Sequence, residues 1–226
     1  MGEATETKAL EKLVRVRAGP VVLEGSLGIP ESARGVVLFA HGSGSSRHSP
    51  RNRYVAEELH AAGLATLLID LLTEEEEAVD EYSSHLRFDI GLLVERLADA
   101  TEWLAEDTRT AGLSVGYFGA STGGGAALVA AAHCPERIGA VVSRGGRPDL
   151  AGEALPAVRA PTLLIVGGND QPVIGLNEKA LAQLGAPIKK LVIVPGATHL
   201  FEEPGKLEEV AQLAAEWFTR YLERAV

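Results

Sequence analysis

The sequence has one cysteine, Cys134, in 226 residues, so no intrachain disulfide can form. No grouping of Cys and His has zinc-site spacing, and neither a metal nor a cofactor is expected. Basic residues are scarce: 21 Lys and Arg stand against 31 Asp and Glu, a net charge of −10. A surface of that sign repels phosphate backbones and anionic lipid, so neither nucleic acid nor a membrane is the expected partner. Residues 110–135 lack Asp, Glu, Lys and Arg, yet six glycines with Ser121 and Thr122 interrupt them. That composition reads as a buried strand, a sharp turn and a buried helix rather than a membrane span. Internal repeats and low-complexity linkers are also missing, which predicts a single domain over 1–226. The opening MGEATETKALEK carries charge where a secretory signal needs an apolar segment, so a cytoplasmic location is expected.

What the chain does have is an ordinary globular apolar fraction, 46%, in an orderly pattern. LVRVR at 13–17 alternates apolar and charged residues, Gly19-Pro20 signals a turn, and VVLEGSLGIP follows, predicting an N-terminal hairpin. Short continuous apolar runs come next, at 35–40, 64–70, 113–119, 138–143, 161–167 and 189–195. Runs apolar on both faces belong to parallel strands covered on each side. Helical periodicity separates them at 54–63, 88–107, 121–134, 174–185 and 206–225. The alternation predicts an α/β fold with a mostly parallel central sheet and helices on both faces.

Ligands of such sheets bind beyond the carboxyl ends of the strands. After the third run stands Gly119-Ala120-Ser121-Thr122-Gly123, a Gly-x-Ser-x-Gly between a strand and a helix. In that context the motif is a nucleophile elbow, where side chains at 119 and 123 would strike neighbouring backbone. Ser121 would be held in a strained conformation at a helix N-terminus, whose free N–H groups favour developing negative charge. Neither a Walker pattern nor a dinucleotide fingerprint accompanies these glycines.

A serine hydroxyl needs a base, and the base an orienting acid. Of six histidines only His133 and His199 follow Ser121. His133 falls about 18 Å down the nucleophile's own helix. His199, in PGATHLF after the last run, belongs on the cleft side. Two acids compete, Asp170 in GGND and Asp149 in SRGGRPD; Asp170 is closer to its strand end and is preferred, while Asp149 suits a cap.

With His41-Gly42-Ser43-Gly44, Gly119–Gly123, Gly168-Asn169-Asp170 and Ala197-Thr198-His199 at successive strand ends, the sequence resembles the α/β-hydrolase superfamily. Within it the chain looks most like the dienelactone-hydrolase-like group. The resemblance implies a serine esterase-type hydrolase working through an acyl-enzyme: Ser121 as nucleophile, His199 as general base and acid, Asp170 as orienting acid. It also implies an oxyanion hole from the backbone N–H groups of Thr122 and Ser43, with His41 shaping that loop. Dienelactone hydrolases proper carry Cys at the position of Ser121, so a small or short-acyl ester or lactone is the expected substrate. Arg47 and His48 are candidate substrate contacts on the same loop.

Between the fourth and fifth runs lie only residues 144–160, too few for a cap domain. The connection 71–87 should border the cleft, and Thr73 with Glu76 fits a capping box; its Glu74–Glu77 run suits a solvated face. An acyltransferase or peptidase would use the same three residues, and a non-catalytic binding protein would share the fold alone.

Overall fold

In the computed structural model residues 10–222 are described. They begin with an antiparallel hairpin of β1 (Leu10–Ala18) and β2 (Val21–Ile29), in which Ala18 faces Val21 across Gly19 and Pro20. Six strands follow: β3 (Gly35–Ala40), β4 (Ala65–Ile69), β5 (Ser114–Ala120), β6 (Ile138–Arg144), β7 (Thr162–Gly167) and β8 (Lys189–Val194). Each lies within one residue of its apolar run. They form one eight-stranded sheet in the order β1-β2-β4-β3-β5-β6-β7-β8. From β4 to β8 every neighbouring pair is parallel, and β2 is antiparallel to both β1 and β4.

The helices are α1 (Pro50–Ala61), α2 (Glu74–Ser83), α3 (Ile90–Glu106), α4 (Thr122–His133), α5 (Gln171–Gln183) and α6 (Lys206–Tyr221). Two of them start earlier than periodicity suggests. The Ser49 hydroxyl caps α1 by accepting from Asn52 N–H, and Pro50 fits its first turn, where no N–H is required. Pro172 occupies the same kind of position in α5. The capping box of α2 is present: the Thr73 hydroxyl accepts from Glu76 N–H at 3.2 Å, and the Glu76 carboxylate accepts from Thr73 N–H at 2.9 Å.

Two apolar layers sandwich the sheet. On one face Val55, Leu59, Val210, Ala214 and Phe218 of α1 and α6 pack on Phe39, Phe118 and Ile165. On the other, Leu97 and Leu104 of α3, Leu128 of α4 and Leu184 after α5 cover Val36, Leu38 and Val141. Each fully buried side chain of this size contributes about 1.5–3 kcal/mol. One buried pair of hydroxyls is matched: the Tyr117 hydroxyl donates at 2.7 Å to Thr101 Oγ1, which donates to the Leu97 carbonyl. Buried Arg96 of α3 donates to the Ala18 carbonyl and pairs with Glu76, each at 2.8 Å, tying the helix to the hairpin and to α2.

Between β6 and β7 the chain forms a short 3₁₀ segment, Pro148–Ala157, kinked at Gly152, and there is no cap domain. Among the described residues no helix is long and apolar enough to cross a membrane.

Candidate active site

Ser121 sits between β5 and α4 with φ at 51°, a left-handed backbone unusual outside glycine. Packing around the turn enforces it. A Cβ on Gly119 would lie 2.6 Å from the Gly123 carbonyl oxygen and the Gly124 Cα. One on Gly123 would overlap the carbonyl oxygens of Ala40 and His41 at the end of β3. The backbone is anchored from the neighbouring strand: Ser121 N–H donates to the Arg144 carbonyl at 3.2 Å, and the Ser121 carbonyl accepts from Arg147 N–H at 3.0 Å.

The loop after β8 brings His199 over the turn. Its Nε2 lies 3.3 Å from Ser121 Oγ, and its Nδ1 lies 2.6 Å from Asp170 Oδ2. With Nδ1–H donating to the carboxylate, Nε2 is left to accept from the serine hydroxyl. Asp170 holds the N-cap position of α5, yet its carboxylate does not cap that helix and turns to the imidazole. Asp149 makes neither this contact nor the expected cap. Its carboxylate is held by the guanidinium of Arg147 at 2.7 and 2.8 Å, inside the first 3₁₀ turn. His133 ends α4, as its spacing predicts.

The histidine loop has its own clamp, which sequence patterns do not reveal. Both carboxylate oxygens of Glu203 accept from Thr198 N–H at 3.1 Å. The Thr198 side chain first, then the backbone N–H groups of Glu203 and Thr198, hold the Glu203 carboxyl below the usual carboxylate range. Phe201, fully buried with φ at 59°, turns the chain back into the core.

On the other side lies the loop after β3. His41 is buried between its own strand end and β4: Nδ1–H donates to the Gly42 carbonyl and Nε2 accepts from Leu71 N–H, both at 3.0 Å. Burial pushes its pKa down, in keeping with a neutral ring that must accept at Nε2. Gly42 comes so close to the nucleophile that a Cβ there would lie 3.1 Å from Ser121 Cβ. Ser43 follows on the exposed side of this loop, and Thr122 opens α4, where first-turn N–H groups have no helical acceptor.

The structure does not bring Arg47 and His48 to the serine. The Arg47 guanidinium pairs with Asp70 and, at 2.6 Å, with Glu24, while its backbone N–H donates to Asp70 at 2.6 Å. Both residues line a hollow of about 460 Å³ against β2 and the start of α2, whose walls do not include Ser121. The acidic connection does border a cavity, of about 320 Å³, between Gly42–Ser46 and α2, with Glu77, Asp80 and Glu81 on its wall. Burial opposes ionisation of Asp80, but Arg87 and the N–H groups of Leu86 and Arg87 hold its carboxyl below the usual range. Burial, then the charge of Asp70, pushes the Glu77 carboxyl up. Among the described residues no group of three or more His, Cys, Asp and Glu is placed to hold a metal ion.

A serine at a strand–helix elbow on this eight-stranded, mostly parallel sheet defines the α/β-hydrolase fold. Residues 23–224 match the family model described as the dienelactone hydrolase family, and the chain belongs to that family. It is 67% identical to a dienelactone hydrolase from Anabaena variabilis of known crystal structure, with a TM-score of 0.94, covering 96% of this chain and all of that one. The esterase Est1E of Butyrivibrio proteoclasticus shares the fold at 17% identity and a TM-score of 0.77, over 92% of this chain and 98% of its own. Proteins of Mycobacterium tuberculosis with a provisional phosphoribosyl transferase name are 60% identical over 219 residues, 97% of this chain. The chain spans about half the length of these curated relatives, 48%.

Proposed function

We propose that the protein is a serine hydrolase that cleaves small or short-acyl esters or lactones through an acyl-enzyme. The observation that carries this reading is one imidazole, 3.3 Å from Ser121 Oγ on one nitrogen and 2.6 Å from Asp170 on the other. Ser121 Oγ attacks the substrate carbonyl carbon while its proton passes to His199 Nε2, and Asp170 stabilises the imidazolium that forms. The carbonyl oxygen becomes an oxyanion that accepts from the backbone N–H groups of Thr122 and Ser43; one such donor is worth about 2.7–4 kcal/mol. Collapse breaks the carbon–oxygen bond to the leaving group, which takes the proton from Nε2 and departs as an alcohol. Water then attacks the acyl-serine with His199 again as base, releasing the acid and restoring the hydroxyl. The match of residues 23–224 to the dienelactone hydrolase family supports a hydrolase, and the transferase name belongs to relatives of about twice the length.

Ser121→Ala is expected to abolish turnover of p-nitrophenyl acetate and labelling by a fluorophosphonate while far-UV circular dichroism stays unchanged. Retained turnover would remove Ser121 from the mechanism. Hydrolysis in the presence of competing alcohols or amines separates a hydrolase from an acyltransferase by its products.

A further inference from the structure

Two glycines follow β6, and the turn they form meets both the nucleophile's helix and the base. On either side of it, the Arg144 carbonyl accepts from Ser121 N–H at 3.2 Å and Arg147 N–H donates to the Ser121 carbonyl at 3.0 Å. A Cβ on Gly124, in the first turn of α4, would stand 3.0 Å from Gly146 Cα. One on Gly145 would lie 3.1 Å from the His199 carbonyl oxygen and 3.4 Å from the ring, at Cε1 and at the Nδ1 that pairs with Asp170. Gly145 has φ at 52°, and its N–H donates to the Ile165 carbonyl of β7 at 2.7 Å.

Main chain supplies each of these hydrogen bonds. Among the described residues one side chain bonds to the turn: that of Asn177 in α5, fully buried, whose Nδ2 donates to the Gly146 carbonyl at 3.1 Å and to the Val173 carbonyl at 2.8 Å. Both partners are acceptors, so the amide nitrogen and not the oxygen faces them. Oδ1 is left sealed from solvent without a donor. A leucine has the same branched shape and would leave no such orphan, so the carboxamide is a costly choice unless the Gly146 carbonyl requires its donor. The helix that carries Asn177 is also the one whose N-cap residue is Asp170, two turns and about 10 Å away along the axis. One hydrogen bond therefore joins the helix of the acid to the turn that packs on the base and flanks the nucleophile. We propose that Asn177 is a positioning residue, a strut whose bond to Gly146 sets the spacing of His199 between Ser121 and Asp170. The inference rests on the proposed hydrolase reading and adds a residue to its machinery. Slack is small, because Nε2 already stands 3.3 Å from Ser121 Oγ and any retreat of the ring lengthens that contact.

Asn177→Leu removes both bonds and keeps the branched shape. It is expected to lower kcat on p-nitrophenyl acetate by about 10- to 100-fold and to leave KM within about twofold, since a base misplaced by up to about 1 Å slows the chemical step rather than binding. Rates are expressed per site titrated with a fluorophosphonate, so that unfolded molecules do not count. A merely structural asparagine would lower the melting temperature and leave kcat per titrated site unchanged, and that result overturns the proposal. Should Asn177→Leu fail to fold, Asn177→Thr decides. Its hydroxyl can still donate to the Val173 carbonyl but is too short to reach Gly146, so a comparable fall in kcat supports the strut and a wild-type kcat overturns it. A second readout needs no turnover: the proton resonance of the imidazole Nδ1–H shared with Asp170, assigned by its loss in His199→Gln. The resonance should move upfield or vanish by exchange with water when Asn177 is replaced; an unchanged resonance overturns the proposal. Wild-type protein that hydrolyses no ester, yet whose resonance answers to Asn177, defeats the hydrolase reading alone; an active enzyme indifferent to Asn177 defeats the strut alone.

Discussion

Arg96 and Arg144 are buried to nearly the same degree, 5% and 6% exposed, and the fold treats them in opposite ways. Between the hairpin and α2, Arg96 has a carbonyl and a carboxylate, each at 2.8 Å. Beside the cleft Arg144 has an aromatic face and a like charge. For Arg96 the chain provides partners from distant segments; for Arg144 it provides an aromatic ring and no counter-charge. Arg47 sides with Arg96, since Asp70 and Glu24 consume its charge.

The largest effect expected from disturbing this contrast lies at the pair the cleft does keep. Asp170→Asn should cut kcat on a neutral ester by about 10⁴-fold, because the amide holds the wrong imidazole tautomer, with the fold intact by circular dichroism. Next comes Arg96→Met, which strands the Ala18 carbonyl and Glu76. A loss of about 2–3 kcal/mol in urea denaturation is expected, against no loss for Arg144→Met. Equal losses for the two would break the comparison. Asp70→Asn should cost about 2 kcal/mol by the same measurement, since the Arg47 side chain is 13% exposed and water recovers part of the pair's energy.

A smaller effect concerns a third buried base, which resolves the same problem by giving up its proton. The pKa of His41 is pushed down by burial, and that of His60 likewise. An unfolded histidine takes a proton near pH 6.5, before these folded ones do, so the unfolded state binds more protons as acidity rises. The histidine contribution to stability should be complete above about pH 6.5 and decline as the pH falls below it. Measured denaturation midpoints at pH 7.5, 6.5 and 5.5 check the sign, and His41→Gln should flatten part of the slope.

Much of this architecture is legible in the sequence because its causes are local. The runs at 35–40 and 161–167 hold strands because every residue of β3 and β7 is buried, so apolarity alone marks them. The elbow announces itself through Gly119 and Gly123, which backbone contact forbids to be anything larger. Ser121, Asp170 and His199 follow from position after strand ends, and the structure brings these three side chains together. What sequence does not disclose depends on which distant side chains meet. Arg47 looks like a free cation on a glycine-rich loop until Asp70, 23 residues on, is seen to hold it. Glu203 reads as one acid in Glu202-Glu203, yet only its carboxylate clamps the histidine loop. Arg144 falls one residue beyond the apolar run 138–143, where a charged residue suggests an exposed strand end. Its burial arises from Phe201 folding back over it, a contact no local pattern encodes.

The contact between Gly123 and the carbonyl oxygens closing β3 has a wider consequence. Main chain alone sets where residue 121 stands, so the socket is indifferent to which atom its occupant presents. Sulfur and oxygen are interchangeable there at the level of architecture, and a lineage can trade one chemistry for the other in a single codon without rebuilding the scaffold beneath.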